Sequence, residues 1–265
     1  MSEKKKSELT FWDHLTELLN RVRTILYSVV IATIAVMLVP IGLDFSVTNP
    51  FYTTITSFVI LNMQERFLPP DAQLLPLSFT APLEVYIFVS VILGVTISLP
   101  VISYELYKFI NPALRKGERT TALQFVFSFV GLFVFGFTIG YLFVMPATMR
   151  MLFSFSNLLE LPPLYDFAAF FSIVGFSLFL CGLIFTFPLY IVLLVKAGIL
   201  ETSSITKNRK YLYGGLLVVI ALLDPEPGLL TEGFVFLPLV ILTEVSILIS
   251  KRVEKSRELS EENLG

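Results

Sequence analysis

The chain has 265 residues, of which 55% are hydrophobic and only 15% charged, with a formal net charge of −2 and a mean hydropathy of +0.80. Soluble domains carry about 25% charged residues, so this balance excludes a soluble globular protein, and the basic residues sit in clusters too short for a nucleic-acid surface. One cysteine, Cys181, excludes an intrachain disulfide and argues against a cysteine-based metal site.

Residues 1–6 are polar, and no short apolar core with a small-residue cleavage site follows, so the first span is expected to stay as an anchor. A bilayer core of about 30 Å needs roughly 20 helical residues. Six transmembrane helices are predicted, near 24–43, 83–104, 123–146, 167–196, 211–223 and 233–250. The first four are long enough to cross, the fourth with a tilt or kink at Pro188. The fifth would reach only about 20 Å, so a re-entrant half-helix competes with a crossing. Lys207, Arg209 and Lys210 at one end, and the turn Asp224, Pro225, Glu226, Pro227 at the other, favour the crossing. Between the first two spans, 44–82 contains the apolar stretch 55–61, expected to be partly helical along the outer surface. The next outer loop covers 149–166.

Charge sets the orientation. Of the 19 Lys and Arg residues, all but Arg66 and Arg150 fall before the first span, between the second and third, between the fourth and fifth, or after the sixth. Positive loops stay in the cytoplasm, which predicts both termini inside and an even number of spans. The expected fold class is an all-α membrane protein, one transmembrane domain over 1–265. It has a cytoplasmic amphipathic N-terminus (1–23), a six-span core (24–250) and a cytoplasmic tail (251–265). Two short spans beside four long ones predict a curved, cup-like arrangement.

Ionisable residues are missing from 24–43, 123–146 and 167–195, which is thin support for a proton or ion relay. No helical HExxH, phosphate-cradling glycine loop or nucleophile–base pair is present. An enzyme is not expected, nor a cofactor. A six-span carrier of a small solute is the alternative, and it predicts broken helices with facing polar groups and an internal pseudo-repeat.

The basic edges carry more information. Phe11, Leu15, Leu18 and Val22 form the apolar face of an amphipathic helix that runs into the first span, while His14, Glu17 and Arg21 share a neighbouring face. Two readings stand: an interfacial anchor with a Glu17–Arg21 ion pair, or a carboxylate presented to a cationic ligand. After the second span, Pro112 interrupts the helix and Gly117 lets the chain turn. Glu118 there is either local charge compensation in a solvated basic loop or a second ligand-facing acid.

Together the two edges resemble the TatC family. The carrying residues are His14-Leu15-x-Glu17-Leu18-x-x-Arg21 before the first span and Phe109-Ile110-x-Pro112-Ala113-Leu114-x-x-x-Glu118-Arg119 after the second. Phe185-x-x-Pro188 and Asp224-Pro225 fit the same pattern, so the likeness runs from Phe11 to Arg252. The resemblance implies a non-enzymatic receptor subunit of a twin-arginine translocase in a prokaryotic plasma membrane. Such a receptor binds signal peptides with consecutive arginines and recruits small single-span partners of the TatA/TatB type, driven by the membrane gradient or by those partners. It would contact membrane lipid and assemble into a larger complex. The roles implied are Glu17 and Glu118 for the arginines and Phe109 for the flanking peptide, with His14 and Arg21 in the same motif. A guanidinium presents a fork of donors matching a carboxylate, which an ammonium cannot reproduce.

Two positions depart from the pattern. Leu19 stands where many members carry arginine. Thr186 stands where the family has the glutamate of Phe-Glu-x-Pro, implicated in partner docking. At the start of the sixth span, Thr231-Glu232 replaces a common Ser-Gln, so the acid is expected to have moved to Glu232. Thr186, Leu223 and Glu232 would then form a partner-docking polar cluster. The competing readings are that Glu232 ends the outer loop in water and that Thr186 bonds its own backbone.

Overall fold

Inside a bilayer every backbone N–H and C=O must be satisfied within the chain, and the apolar runs answer this as helices. The computed structural model describes residues 11–41, 53–110, 119–223 and 229–262. In chain order the elements are α1 (Phe11–Leu38), α2 (Ile55–Phe67), β1 (Gln73–Leu75), α3 (Ala81–Ile110) and α4 (Arg119–Ile139), followed by a π-helical turn (Gly140–Val144). Then come α5 (Met145–Leu158), β2 (Leu164–Asp166), α6 (Phe167–Phe185), α7 (Phe187–Lys196), α8 (Thr202–Lys207), α9 (Arg209–Leu223) and α10 (Leu229–Glu262).

Among the described residues, five stretches are long and apolar enough to cross a membrane: Leu15–Leu38, Ala81–Phe109, Ala122–Leu158, Phe167–Lys196 and Glu232–Lys255. The expected all-α membrane architecture is borne out. The shorter α9, at 15 residues about 22 Å long, occupies the predicted fifth span and packs on α10 and α6. Outward-facing side chains such as Ile31, Phe127 and Leu222 are exposed and apolar, as a lipid-facing surface requires.

Helices α1 and α3 run antiparallel and form the most extensive helix pair. Gly94 permits this: a Cβ there would lie 2.8 Å from the backbone nitrogen of Thr33. At the far end of the pair, the Tyr86 hydroxyl donates to the carbonyl of Met37 at 2.7 Å, and the Thr56 hydroxyl to that of Val36 at 3.2 Å. Carbonyls at a helix end need such partners, so α2 and α3 close the end of α1. Helices α4 and α6 approach through small residues in the same way, Gly136 against Phe185 and Gly182 against Phe133. Phe129 and Phe133 of α4 form one buried cluster with Leu99 and Tyr107 of α3, and Phe171 of α6 a second one with Val85 and Val89 of α3.

Several element ends differ from the sequence expectation. The third span does not stop at Pro146. Proline cannot donate to the carbonyl four residues back, and the chain absorbs this with the π-helical turn, where the Met145 N–H reaches the Gly140 carbonyl. The helix then continues to Leu158, shortening the second outer loop. The fourth span breaks as predicted near Pro188, into α6 and α7 around Thr186. The sixth helix does not end near Ser250 but continues into the polar tail to Glu262. The two loops expected on the outer side hold the expected helix α2, and also a short parallel pairing of β1 with β2. Asp166 ends β2 and caps α6, accepting from the N–H groups of Ala168 and Ala169 at 3.2 Å each. The turn at 224–228 lies outside the described residues.

Candidate functional site

The antiparallel packing of α1 on α3 brings the N-terminal part of one helix to the C-terminal part of the other, at the basic end of the molecule. Arg21 lies between two carboxylates there. Its Nε donates to Glu17 Oε1 at 3.1 Å, and its Nη2 donates to the same oxygen. Its Nη1 donates to Glu105 Oε2 at 3.0 Å. The Glu17–Arg21 contact is the i, i+4 ion pair the helical spacing predicts. The Glu105 contact crosses from α1 to α3 and was not legible in the local sequence. Side-chain exposure falls from 32% at Glu17 to 17% at Arg21 and 14% at Glu105, so the network runs from the surface into the helix interface.

Phe109 lies one helical turn beyond Glu105 on the same face of α3, with 37% of its surface exposed. The side of α3 turned toward α4 is anchored instead by Tyr107, which is 1% exposed and packs on Phe125 at 5.2 Å between ring centres. Lys196 donates to the Tyr107 hydroxyl at 3.4 Å, and Lys108 sits 4.2 Å from the centre of the Tyr104 ring. The end of α3 is therefore fixed on one side, while its other side carries Glu105, half-buried against Arg21, and the exposed ring of Phe109. His14 belongs to α1, one turn before Glu17, with its side chain outside the described residues, and Glu118 lies outside them altogether.

Among the described residues no hydrogen bond joins the members of the second expected cluster. Thr186 is completely buried. Its hydroxyl donates to the Leu183 carbonyl at 2.7 Å and also meets the Tyr190 phenol. It thus bonds its own backbone, three residues back where four was the expected spacing, at a point where Pro188 disturbs the helical ladder. Glu232 stands in the first turn of α10, partly exposed, without a hydrogen bond or ion pair to a described residue. Leu223 is the last residue of α9, its side chain outside the described residues.

Polar groups join the later helices elsewhere. Arg209 Nη1 approaches Glu244 Oε1 at 3.2 Å, and the Tyr213 hydroxyl donates to the same oxygen, tying α9 to α10. Glu254, in the helical tail, accepts from both the N–H and the hydroxyl of Thr202 at the start of α8. Neither contact was legible from local spacing, because each joins residues brought together only by the packing of α10.

Comparison with known proteins agrees with this architecture. A family model, Sec-independent protein translocase protein (TatC), matches residues 13–238. The chain is 28% identical to TatCy of Bacillus subtilis (strain 168), over 98% of this chain and 96% of the relative. It is 31% identical to TatCd of the same organism, over 71% and 76% respectively. Its fold is similar to that of a crystal structure of the twin-arginine translocase receptor TatC, with a TM-score of 0.70 and 26% identity, covering 91% of this chain and 99% of that one. The motifs at the basic end of α1 and α3, the helical membrane fold and a family match across most of the sequence converge: the chain belongs to the TatC family of Sec-independent protein translocase proteins.

Proposed function

We propose that this protein is the signal-peptide receptor of a twin-arginine translocase, with its basic end in the cytoplasm of a prokaryotic cell. The observation that carries the reading is the seating of a guanidinium between Glu17 and Glu105 beside the exposed ring of Phe109. Carboxylates already arranged around one guanidinium match the donor fork of another. An apolar ring one turn away suits the hydrophobic residues next to a charged motif. Glu118 and His14, close in sequence to these groups, complete the site. The orientation is supported by the placement of nearly all the basic residues on this side.

Small single-span subunits are the proposed partners, docking on the membrane face of α9 and α10 beside Glu232. A helix with a polar residue near one membrane end would find in Glu232 a carboxylate with no partner among the described residues. Thr186 and Leu223 would support that face from α6, α7 and α9, with Thr186 acting through the helix break and not through direct contact.

A photo-crosslinking amino acid in place of Phe109 tests the receptor reading. In membranes it should capture a twin-arginine signal peptide, and capture should fall when both arginines are lysine. Equal capture of the two peptides would return this edge to an ordinary interfacial anchor.

A further inference from the structure

We infer that Glu105 is a third recognition carboxylate of the peptide site, and that Arg21 is the positioning residue that holds it there. This rests on the receptor reading above and extends it to a residue outside the sequence motif.

The first ground is charge. Two carboxylates share one guanidinium, so the triad keeps a surplus negative charge. Among the described residues Arg21 is the one cation in ion-pair contact with either acid, since Arg23 bonds the Tyr27 hydroxyl and Lys108 lies over the Tyr104 ring. A partly buried carboxylate without full compensation is unfavourable, and one further guanidinium would balance the set. The second ground is geometry. Arg21 uses one oxygen of each acid, Glu17 Oε1 and Glu105 Oε2. Among the described residues neither Glu17 Oε2 nor Glu105 Oε1 has a hydrogen bond, and a carboxylate oxygen can accept from a ligand donor. Arg21 also shows what the pair binds, since its own guanidinium already lies between them. The third ground is position. Glu105 and Phe109 share a face of α3, and Glu105 is the more buried of the two acids. A charge-assisted bond there is less screened by solvent than one at Glu17.

The two arginines of a signal peptide then become inequivalent, because only one of them can meet the Glu17–Glu105 pair. The test uses full-length protein in detergent and four labelled peptides, carrying Arg-Arg, Arg-Lys, Lys-Arg and Lys-Lys at the motif. Wild type and the variants Glu105→Gln and Glu105→Asp are compared. Glu105→Gln should weaken Arg-Arg binding on the order of tenfold and erase the arginine preference at one of the two positions, leaving the other intact. Glu105→Asp should fall between. Equal weakening of all four peptides would assign Glu105 a structural role and overturn the inference, as would binding unchanged from wild type. Both outcomes leave the receptor reading standing if wild type still prefers Arg-Arg. A wild type that does not discriminate among the four peptides overturns the receptor reading and this inference together.

Discussion

Arg21 on α1 and Glu105 on α3, 84 positions apart in sequence, are joined by a 3.0 Å bond from guanidinium to carboxylate. Because Arg21 also holds Glu17, the helix that enters the membrane and the helix that leaves it are tied at their basic ends through one side chain. Removing the cation leaves two acids facing each other. Arg21→Gln is expected to destabilise the protein by about 1–2 kcal/mol, measured as reversible unfolding in detergent. Adding Glu105→Gln should recover part of that loss, so the pair is non-additive in a double-mutant cycle. Strict additivity would mean the two residues do not interact.

The α1–α3 contact depends on Gly94. With the Thr33 backbone nitrogen 2.8 Å from where a Cβ would sit, the neighbour cannot yield by a side-chain rotation. Gly94→Val is expected to lose about 1–3 kcal/mol and to loosen the Arg21–Glu105 link at the far end of the same pair. Gly131→Ala is the control, since nothing lies within 4 Å of its Cβ position. It should be neutral or gain up to about 1 kcal/mol in helix stability. Thermal melting of the two variants separates the cases.

Thr186 is read as a stabiliser of the helix break. Replacing it with valine keeps the volume but removes the hydroxyl that donates to Leu183. A loss of about 0.5–1.5 kcal/mol is expected, with peptide binding at the Glu17–Glu105 edge unchanged. If Thr186→Val left stability unaltered, the hydroxyl would be idle in the folded chain.

Glu254 fixes α8 against the tail of α10 by accepting from Thr202. Glu254→Ala should raise amide hydrogen exchange over Thr202–Lys207 while the amides of α6 stay protected. A capping contact of this kind is worth about 1 kcal/mol, or several-fold in exchange rate. Unchanged exchange at α8 would show that packing alone holds that segment.

The spans were legible in the sequence because the bilayer demands long apolar runs, and the Glu17–Arg21 pair because helical spacing fixes i, i+4 neighbours. Helix ends were less so. Hydropathy marks where the bilayer ends, not where the helix does, so α10 passes Ser250 and continues through charged residues to Glu262. Pro146 reads locally as a stop, yet the π-helical turn before it lets the helix continue. Pro188 could be read correctly because a break at Thr186 needs only local chemistry. Glu105 was invisible as a site residue. On its own helix it looks like one more charge near a basic loop, and only the antiparallel packing of α1 gives it a partner. Thr186 and Glu232 show the reverse: substitutions that look complementary in sequence are not joined by a bond in the fold.

The most direct test of the receptor reading is equilibrium binding of a twin-arginine signal peptide to the purified full-length protein, set beside a twin-lysine peptide and repeated with Glu17→Ala. Selective binding of the arginine peptide, weakened on the order of tenfold or more when Glu17 is removed, is the predicted result. Equal affinity for both peptides, unchanged in the variant, would contradict the assignment of this edge as the receptor site.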